Sequence, residues 1–559
     1  MVYLFYKIVK GRKYYYLGEN KSINGQSRRV LEIYLGSADS LMQYLQQNPL
    51  PKEVESISYG LPASLLNIDE DINFVKIIDR HCSKREQGLS VGEHILIDLI
   101  NRIDEPLSHN KLGDWFSKTL LRKIFKIKPS YLSSQGYWNH WQYLDEKIIE
   151  NVQKDLLPKI IKGVNIKQLF YDPTNFTTYI SDKHKDIPKG MKRHKVSMAK
   201  YGKPKSGLRG LRQINLALLV TKDYGIPLWH KPYDGNINDI TFFQIFVESL
   251  QDKIEVFLKE CKSITLIFDK GNNSPKNIKR VNDNLHFYTL GSLAPSQHKD
   301  WLKMPLEKFD IAHKTAKGDI IKAHYFRAEV FGKQCSVVIT YNRKTAYNQK
   351  ERTERALAKG LAYLKGAETK LNKPQWKDRD AVLVRINSNL TQFHARKLIK
   401  WSLIEKNKKL NLIFSKNKEE LIYAENSYGK TILFTNNDSL NAVEIIKAYS
   451  DKYVIEHGIK RLKNKHVISY TPQNCWTDES CRVHAFTCVM ALLFFSLLRK
   501  KIGDANLKIS DDELVYNLRE IKQALLVMPK AKKVSRMIEK MNPMQQKLYS
   551  LLNLKKFES

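Results

Sequence analysis

The sequence predicts an α/β protein, a mixed sheet covered by helices, interrupted by a β-rich insertion and flanked by further elements on both sides. Three observations predict it. Between residues 165 and 294, strand-like and helical runs follow the order strand, strand, strand, helix, strand, helix, strand. From 295 to 437 that order is lost, and hairpin-like runs surround one charged helical run. From 438 to 505 helical spacing returns and ends in the apolar run Ala485 to Leu498.

The elements are justified in order. Residues 1–60 read as a small basic β domain, with strand-like runs at Val2 to Val9, Lys13 to Gly18 and Arg28 to Leu35. Arg12, Lys13, Lys21, Arg28 and Arg29 make its hairpins basic. Such a ribbon either lies along DNA or carries ordinary solvated turns. Residues 61–164 read as helical, with runs at Val91 to Ile103, Lys111 to Phe125 and Tyr137 to Leu156. The second run is basic through Lys118, Arg122 and Lys123, which fits a helix-turn-helix-like reader of DNA ends or a plain bundle.

In 165–294 the strands are Ile166 to Tyr171, Gln213 to Thr221, Ile226 to Pro232, Ile264 to Phe268 and His286 to Leu290. Asn238 or Asp239 caps a helix running to about Leu258, and Ser274 starts a short one. This order suits the first part of a ribonuclease-H-like core. Lys183 to Arg212 is a basic loop beside the first strand. Within it, Lys205, Arg209 and Arg212 are candidates for phosphate contacts. The insertion, 295–437, reads as a hairpin over Lys317 to Thr340, a helix over Asn342 to Leu371 and strands from Leu403 to Phe434. Residues 438–505 supply the rest of the core, and 506–559 read as a basic helical segment.

Composition bounds the function. A chain of 559 residues has room for three or more domains. Lysine plus arginine, 94, exceed aspartate plus glutamate, 58, for a net charge of +36 spread over the whole chain. That excess favours a polyanionic partner, most simply nucleic acid. A hydrophobic share of 42% excludes a disordered basic arm. Cys82, Cys261, Cys335, Cys475, Cys481 and Cys488 include no pair at zinc-knuckle spacing, and their use suits a reducing cytoplasm. The first ten residues carry no secretory pattern. The Ala485 to Leu498 run is shorter than the ~20 residues of a typical span, so it reads as a core helix, with no membrane.

The chemistry is carried by three acidic residues. Asp172 and Asp269 each follow an apolar strand and precede a turn-forming stretch. Reactive groups in open α/β sheets sit just beyond strand carboxyl ends. A lone aspartate there is more often a cap or turn former. The third is Glu456, on a helix capped by Asp438 or Ser439, whose apolar residues include Ile446, Ile455, Ile459 and Leu462. Tyr449, Lys452, Glu456 and Lys463 follow at steps of three, four and seven, so they share one face of that helix. Three clustered carboxylates repel unless neutralised, and hard oxygen donors suit Mg²⁺ or Mn²⁺. Two such ions about 4 Å apart activate a water or 3′-hydroxyl and stabilise the leaving oxygen.

These residues resemble those of DDE-type insertion-sequence transposases of the group with a Tyr-Arg-Glu-Lys signature. That signature is Tyr, two residues, Arg, three residues, Glu, six residues, Lys. Tyr449, Lys452, Glu456 and Lys463 match its spacing, with Lys452 in the arginine's place. Lysine keeps the charge and loses the bidentate fork. Tyr171-Asp172-Pro173-Thr174-Asn175-Phe176 and Phe268-Asp269-Lys270-Gly271-Asn272-Asn273-Ser274 resemble the strands of the first two carboxylates. Trp476 to Ala485 resembles the start of the helix after the glutamate.

The resemblance implies a catalytic and metal-binding set of Asp172, Asp269 and Glu456. It also implies DNA contacts by Tyr449, Lys452 and Lys463, binding of terminal inverted repeats, cleavage and strand transfer. The partners implied are double-stranded DNA at the element ends and target, with a homodimer in the DNA complex. Some members hold a flipped base on a tryptophan of the insertion. Trp301 and Trp376 are the candidates here, with core packing the plainer reading. His484 reads as a core histidine.

Overall fold

The structure, a computed structural model, describes residues 2–23, 26–47, 51–82, 88–179, 198–205, 207, 210–315, 318–471, 475, 477–527 and 534–558. It is mixed α/β, built on one large sheet flanked by helices.

At the N-terminal end, β1 (Val2–Val9), β2 (Arg12–Ile23) and β3 (Gln26–Ser37) form an antiparallel sheet, followed by the helix Ala38–Gln47. Then β4 (Glu53–Ser58) leads into the helical region. Gly60–Ile72, Phe74–His81 and Val91–Asp104 are helices, the last closed by a capping box between Ser90 and Glu93.

The run Lys111 to Phe125 is not one helix. It is broken into Leu112–Ser117 and Leu121–Phe125 because Ser58, at the end of β4, takes its backbone. Ser58 N–H donates to Lys118 O at 2.9 Å, and Leu120 N–H donates to Ser58 O at 2.9 Å. Arg122 pairs with Glu55 at 2.7 Å, and Lys123 donates to the carbonyls of Phe557 and Glu558 at 3.1 Å. These cations are engaged within the protein, and no continuous basic recognition helix forms there. The run Tyr137 to Leu156 also divides, into Ser134–Trp141 and Glu146–Ile161, where Asp145 caps the second helix.

The large sheet contains β5 (Gln168–Thr178), β6 (Arg212–Thr221), β7 (Pro227–Asp234), β8 (Thr265–Phe268), β9 (Tyr288–Leu293), β10 (Ile311–Lys314), β11 (Ile320–Val330) and β12 (Lys333–Asn342). After the hairpin β13 (Ile399–Lys406) and β14 (Lys409–Lys416), its ninth strand is β15 (Lys430–Thr435). The order across the sheet is β10-β11-β12-β15-β9-β8-β5-β6-β7. β5, β6 and β7 are an antiparallel meander, whereas β8 and β9 run parallel to β5. The helix expected from Asn238 to Leu258 is two helices, Asp239–Gln251 and Ile254–Glu260.

Between 295 and 437 the chain does two things. β10, β11, β12 and β15 lengthen the large sheet. The 26-residue helix Arg343–Glu368, the helix Arg379–Gln392 and the β13–β14 hairpin bury a separate apolar core around Leu364, Ile386, Leu390 and Leu403. The stretch is therefore as helical as it is β-rich.

The helix Asp478–Asp504 lies in the main core against β7 and the helices Gly60–Ile72 and Val91–Asp104. By length and composition it would cross a membrane, but 94% of its apolar window is buried in the protein. The last stretch is not wholly helical. β16 (Lys522–Val527) and β17 (Ser535–Ile538) form a sheet in which β16 pairs antiparallel with β4. That pairing draws β4 out of the N-terminal β domain and into the C-terminal segment.

Candidate active site

The site is built where parallel strands end. β5 and β8 are in register at Phe170 and Ile267. β8 stops at Phe268, and Asp269 then accepts the Lys270 N–H at 2.9 Å, opening a single 3₁₀ turn. Carried on two residues, the register sets Asp172 level with Asp269 on the same sheet face. Asp172 is not at a strand end, as the sequence predicts. β5 continues through Pro173 to Thr178, held by β6 with Asp172 opposite Leu218. Beyond Phe170 only β6 flanks it, so the missing N–H of Pro173 is tolerated.

The two aspartates are electrostatically unlike. Burial pushes the Asp172 carboxyl up to about 6, against Lys205 and Lys452 and with help from Asp269. Among the described residues nothing donates a hydrogen bond to it. Burial raises Asp269 too, but Lys452 outweighs it and holds that carboxyl below its usual range. Lys452 Nζ is 3.0 Å from Asp269 Oδ2. Tyr449 OH donates to Asp269 Oδ1 at 3.3 Å and meets Ser292 Oγ, on β9, at 2.8 Å.

The helix that carries the signature is broken. Ala442–Ser450 starts at the Asn441–Glu444 capping box, and Tyr453–Lys463 starts anew at Lys452. The cap is Asn441, not Asp438 or Ser439. Between them the backbone tightens, Lys452 N–H reaching Tyr449 O and Val454 N–H reaching Asp451 O. Asp451 is pinned by Lys222 at 2.9 Å.

The second helix still reaches the sheet at both ends of its stripe. Lys463 Nζ donates to Thr174 Oγ1 at 2.9 Å and lies 5.3 Å from the Phe176 ring centre. Burial, with Lys205 nearby, lowers the pKa of Lys463. Helical phase sets Glu456 between Lys452 and Lys463 on that stripe. Its side chain is exposed and unpaired among the described residues. No group of three His, Cys, Asp or Glu side chains is placed to hold a metal ion among the described residues. Asp172 and Asp269 are thus brought together, and Glu456 stands apart from them.

The basic candidates divide. Lys205 Nζ donates to Pro173 O and pairs with Asp239 at 3.2 Å, beside Asp172. Arg212 begins β6 opposite Thr178, six residues along from Leu218, or about 20 Å at strand rise. Its guanidinium donates to Ala199 O at 2.9 Å. Arg209 and most of the basic loop lie outside the described residues. Ser292 and Asp239 were not legible as site residues. A serine in an apolar strand and an aspartate at a helix start carry no distinguishing signal.

A family described as "Transposase DDE domain" matches residues 168–494, more than half of the chain. The chain belongs to the DDE-domain transposases. The DDE domain opens on the first residue of β5 and closes inside the helix Asp478–Asp504, so it contains both aspartates and the whole signature helix. The cryo-EM structure of the piggyBac transposase synaptic complex with hairpin DNA is similar at 10% identity and a TM-score of 0.38, over 84% of this chain and 82% of that one. No curated protein gives a significant match.

Within the DDE domain, Trp301 stacks on His298 at 4.3 Å and meets Phe326 edge-on at 5.2 Å. Trp376 is buried in the insertion's core with the Arg385 guanidinium 4.8 Å from its ring. His484 donates to Tyr470 O at 2.8 Å, and burial pushes its pKa down to about 3. It is a core histidine, outside the site.

Proposed function

We propose that this DDE-domain protein is an insertion-sequence transposase of the Tyr-Arg-Glu-Lys group. In this reading it binds terminal inverted repeats, cleaves DNA at the element ends and joins them to target DNA, acting on double-stranded DNA as a homodimer. The observation that carries the reading is the meeting of Asp172 and Asp269 under Tyr449, Lys452 and Lys463. Three of the four signature residues touch the strands that bear the two aspartates or their neighbour. The strand order β7-β6-β5-β8-β9, three antiparallel and then two parallel to β5, supports a ribonuclease-H-like core.

The donors suit a divalent cation. Asp172 is half-buried, raised to about 6 and without a hydrogen-bond donor among the described residues, a state that a cation relieves. Asp172 and Asp269 would hold Mg²⁺ or Mn²⁺, and Glu456, which stands apart from them here, would become the third ligand only by turning toward the sheet. When bound, such an ion supplies Lewis acidity toward the scissile phosphate. The chain's own groups do the rest. Tyr449 fixes the Asp269 carboxylate, and Lys452, Lys463 and Lys205 line the phosphate's approach.

Incubating the full chain with end-containing duplex and Mg²⁺ tests this. Nicked and joined products are expected. Cleavage without joining leaves a nuclease, and binding without cleavage leaves a DNA-binding protein.

A further inference from the structure

The sheet β1-β2-β3 has one finished face and one bare face. Directly opposed residues of an antiparallel pair share a face, so the register sorts the side chains. One face carries Phe5 opposite Tyr16, and Tyr16 opposite Tyr34. Its own cations cover it around Phe5 and Tyr16, while Tyr34 at its edge stays 57% exposed. The Arg29 guanidinium lies 4.1 Å from the Phe5 ring centre and Lys7 Nζ 4.6 Å from that of Tyr16. Glu32 holds both, at 2.8 Å and 2.5 Å.

The other face has no such cover. Leu4 stands opposite Leu17, and Leu17 opposite Ile33. Tyr6 and Ile8 continue the face along β1, and Leu31 along β3. Leu4, Tyr6, Ile8, Leu31 and Ile33 are 58%, 49%, 62%, 42% and 44% exposed. Charge gathers at the two ends, as Lys13 over Tyr6 and as Glu19 with Lys21 3.9 Å away. None of the described residues before Tyr59 joins either apolar core. A three-stranded antiparallel sheet needs a packed face to be stable.

We propose that this face pairs with the same face of a second copy of the chain, forming a two-sheet sandwich. The apolar surface has the required size. At roughly 150–250 Å² per large side chain, the five residues expose on the order of 500 Å² per copy. Two copies then bury on the order of 1,000 Å², the low end of the range for a specific interface. A self-complementary apolar patch with little charge suits a two-fold contact, since like charges do not meet across it. The face lies outside residues 168–494 and the pairing does not rest on the activity proposed above.

Sedimentation velocity on the full chain tests it without DNA. Wild type is expected to dimerise at micromolar concentration. Ile8→Lys with Ile33→Lys is expected to be monomeric with an unchanged circular dichroism spectrum and unfolding temperature. Tyr34→Lys, on the opposite face, is expected to stay dimeric. If the double lysine variant unfolds, Leu4→Ser with Ile33→Ser replaces it, and a dimer dissociation constant raised at least tenfold is expected. A wild type that is monomeric at 50–100 times the working concentration overturns the proposal. So does a dimer that survives both double variants, or a bare-face variant that loses only DNA affinity.

Discussion

Lys452 Nζ lies 3.0 Å from the Asp269 carboxylate, and that pair ties the start of the signature helix to the end of β8. It also makes the two aspartates unequal, since Asp172 has no comparable partner.

Removing Lys452 should therefore act on Asp269 first. Lys452→Ala is expected to raise the Asp269 pKa and weaken binding to end DNA. The slope of log affinity against log salt should fall by about one phosphate's worth. Lys463→Ala should lower the slope by a similar amount. Unchanged affinity and slope in both variants would leave these lysines as purely structural cations.

The raised pKa of Asp172 gives a stability prediction with a definite sign. Its folded pKa of about 6 exceeds the ordinary aspartate value, so the folded state favours the protonated form. Its contribution is fully present below pH ~4 and is lost as pH rises through ~6. Asp172→Asn should thus stabilise the metal-free protein by about 1–3 kcal/mol at pH 7.5 and by little at pH 4. Thermal unfolding at both pH values checks this, and equal shifts would contradict it.

Glu456→Gln separates chemistry from binding. The substitution keeps the size of an exposed side chain and removes one negative charge. End cleavage in Mg²⁺ should fall by about hundredfold or more, while the variant still shifts end DNA on a gel. Cleavage at the wild-type rate would remove Glu456 from the catalytic set.

Gly458 is free to change. It is buried in the helix Tyr453–Lys463, and an added Cβ would meet Leu492 Cδ2 at 3.5 Å, an ordinary contact. Gly458→Ala should stabilise the protein by about 0.5–1 kcal/mol, read as a higher denaturant midpoint. A destabilised variant would mean that the helix packs more tightly against Leu492 than that distance allows.

Much of the site was legible because it is local. Asp172 and Asp269 follow short apolar runs bounded by turn-forming residues, which read as buried strands, and the spacing of Tyr449, Lys452 and Lys463 announces a shared direction. What was not legible is long-range. Nothing near Thr119 signals that Ser58 will take its backbone, and no proline or glycine marks the break at Asp451. The last stretch departs from the helical expectation for the same reason. Lys522 to Val527 becomes a strand because β4, far away in sequence, offers it an edge.

That edge has a kinetic consequence. β4 leaves the ribosome roughly 470 residues before β16 does. At about 5–20 residues per second, its pairing edge stays open for on the order of half a minute or more. During that interval the DDE domain emerges between two strands that have yet to meet. Closure of β4 on β16 is thus a late event of high contact order, and it makes the nascent chain a target for chaperones and for edge-to-edge association.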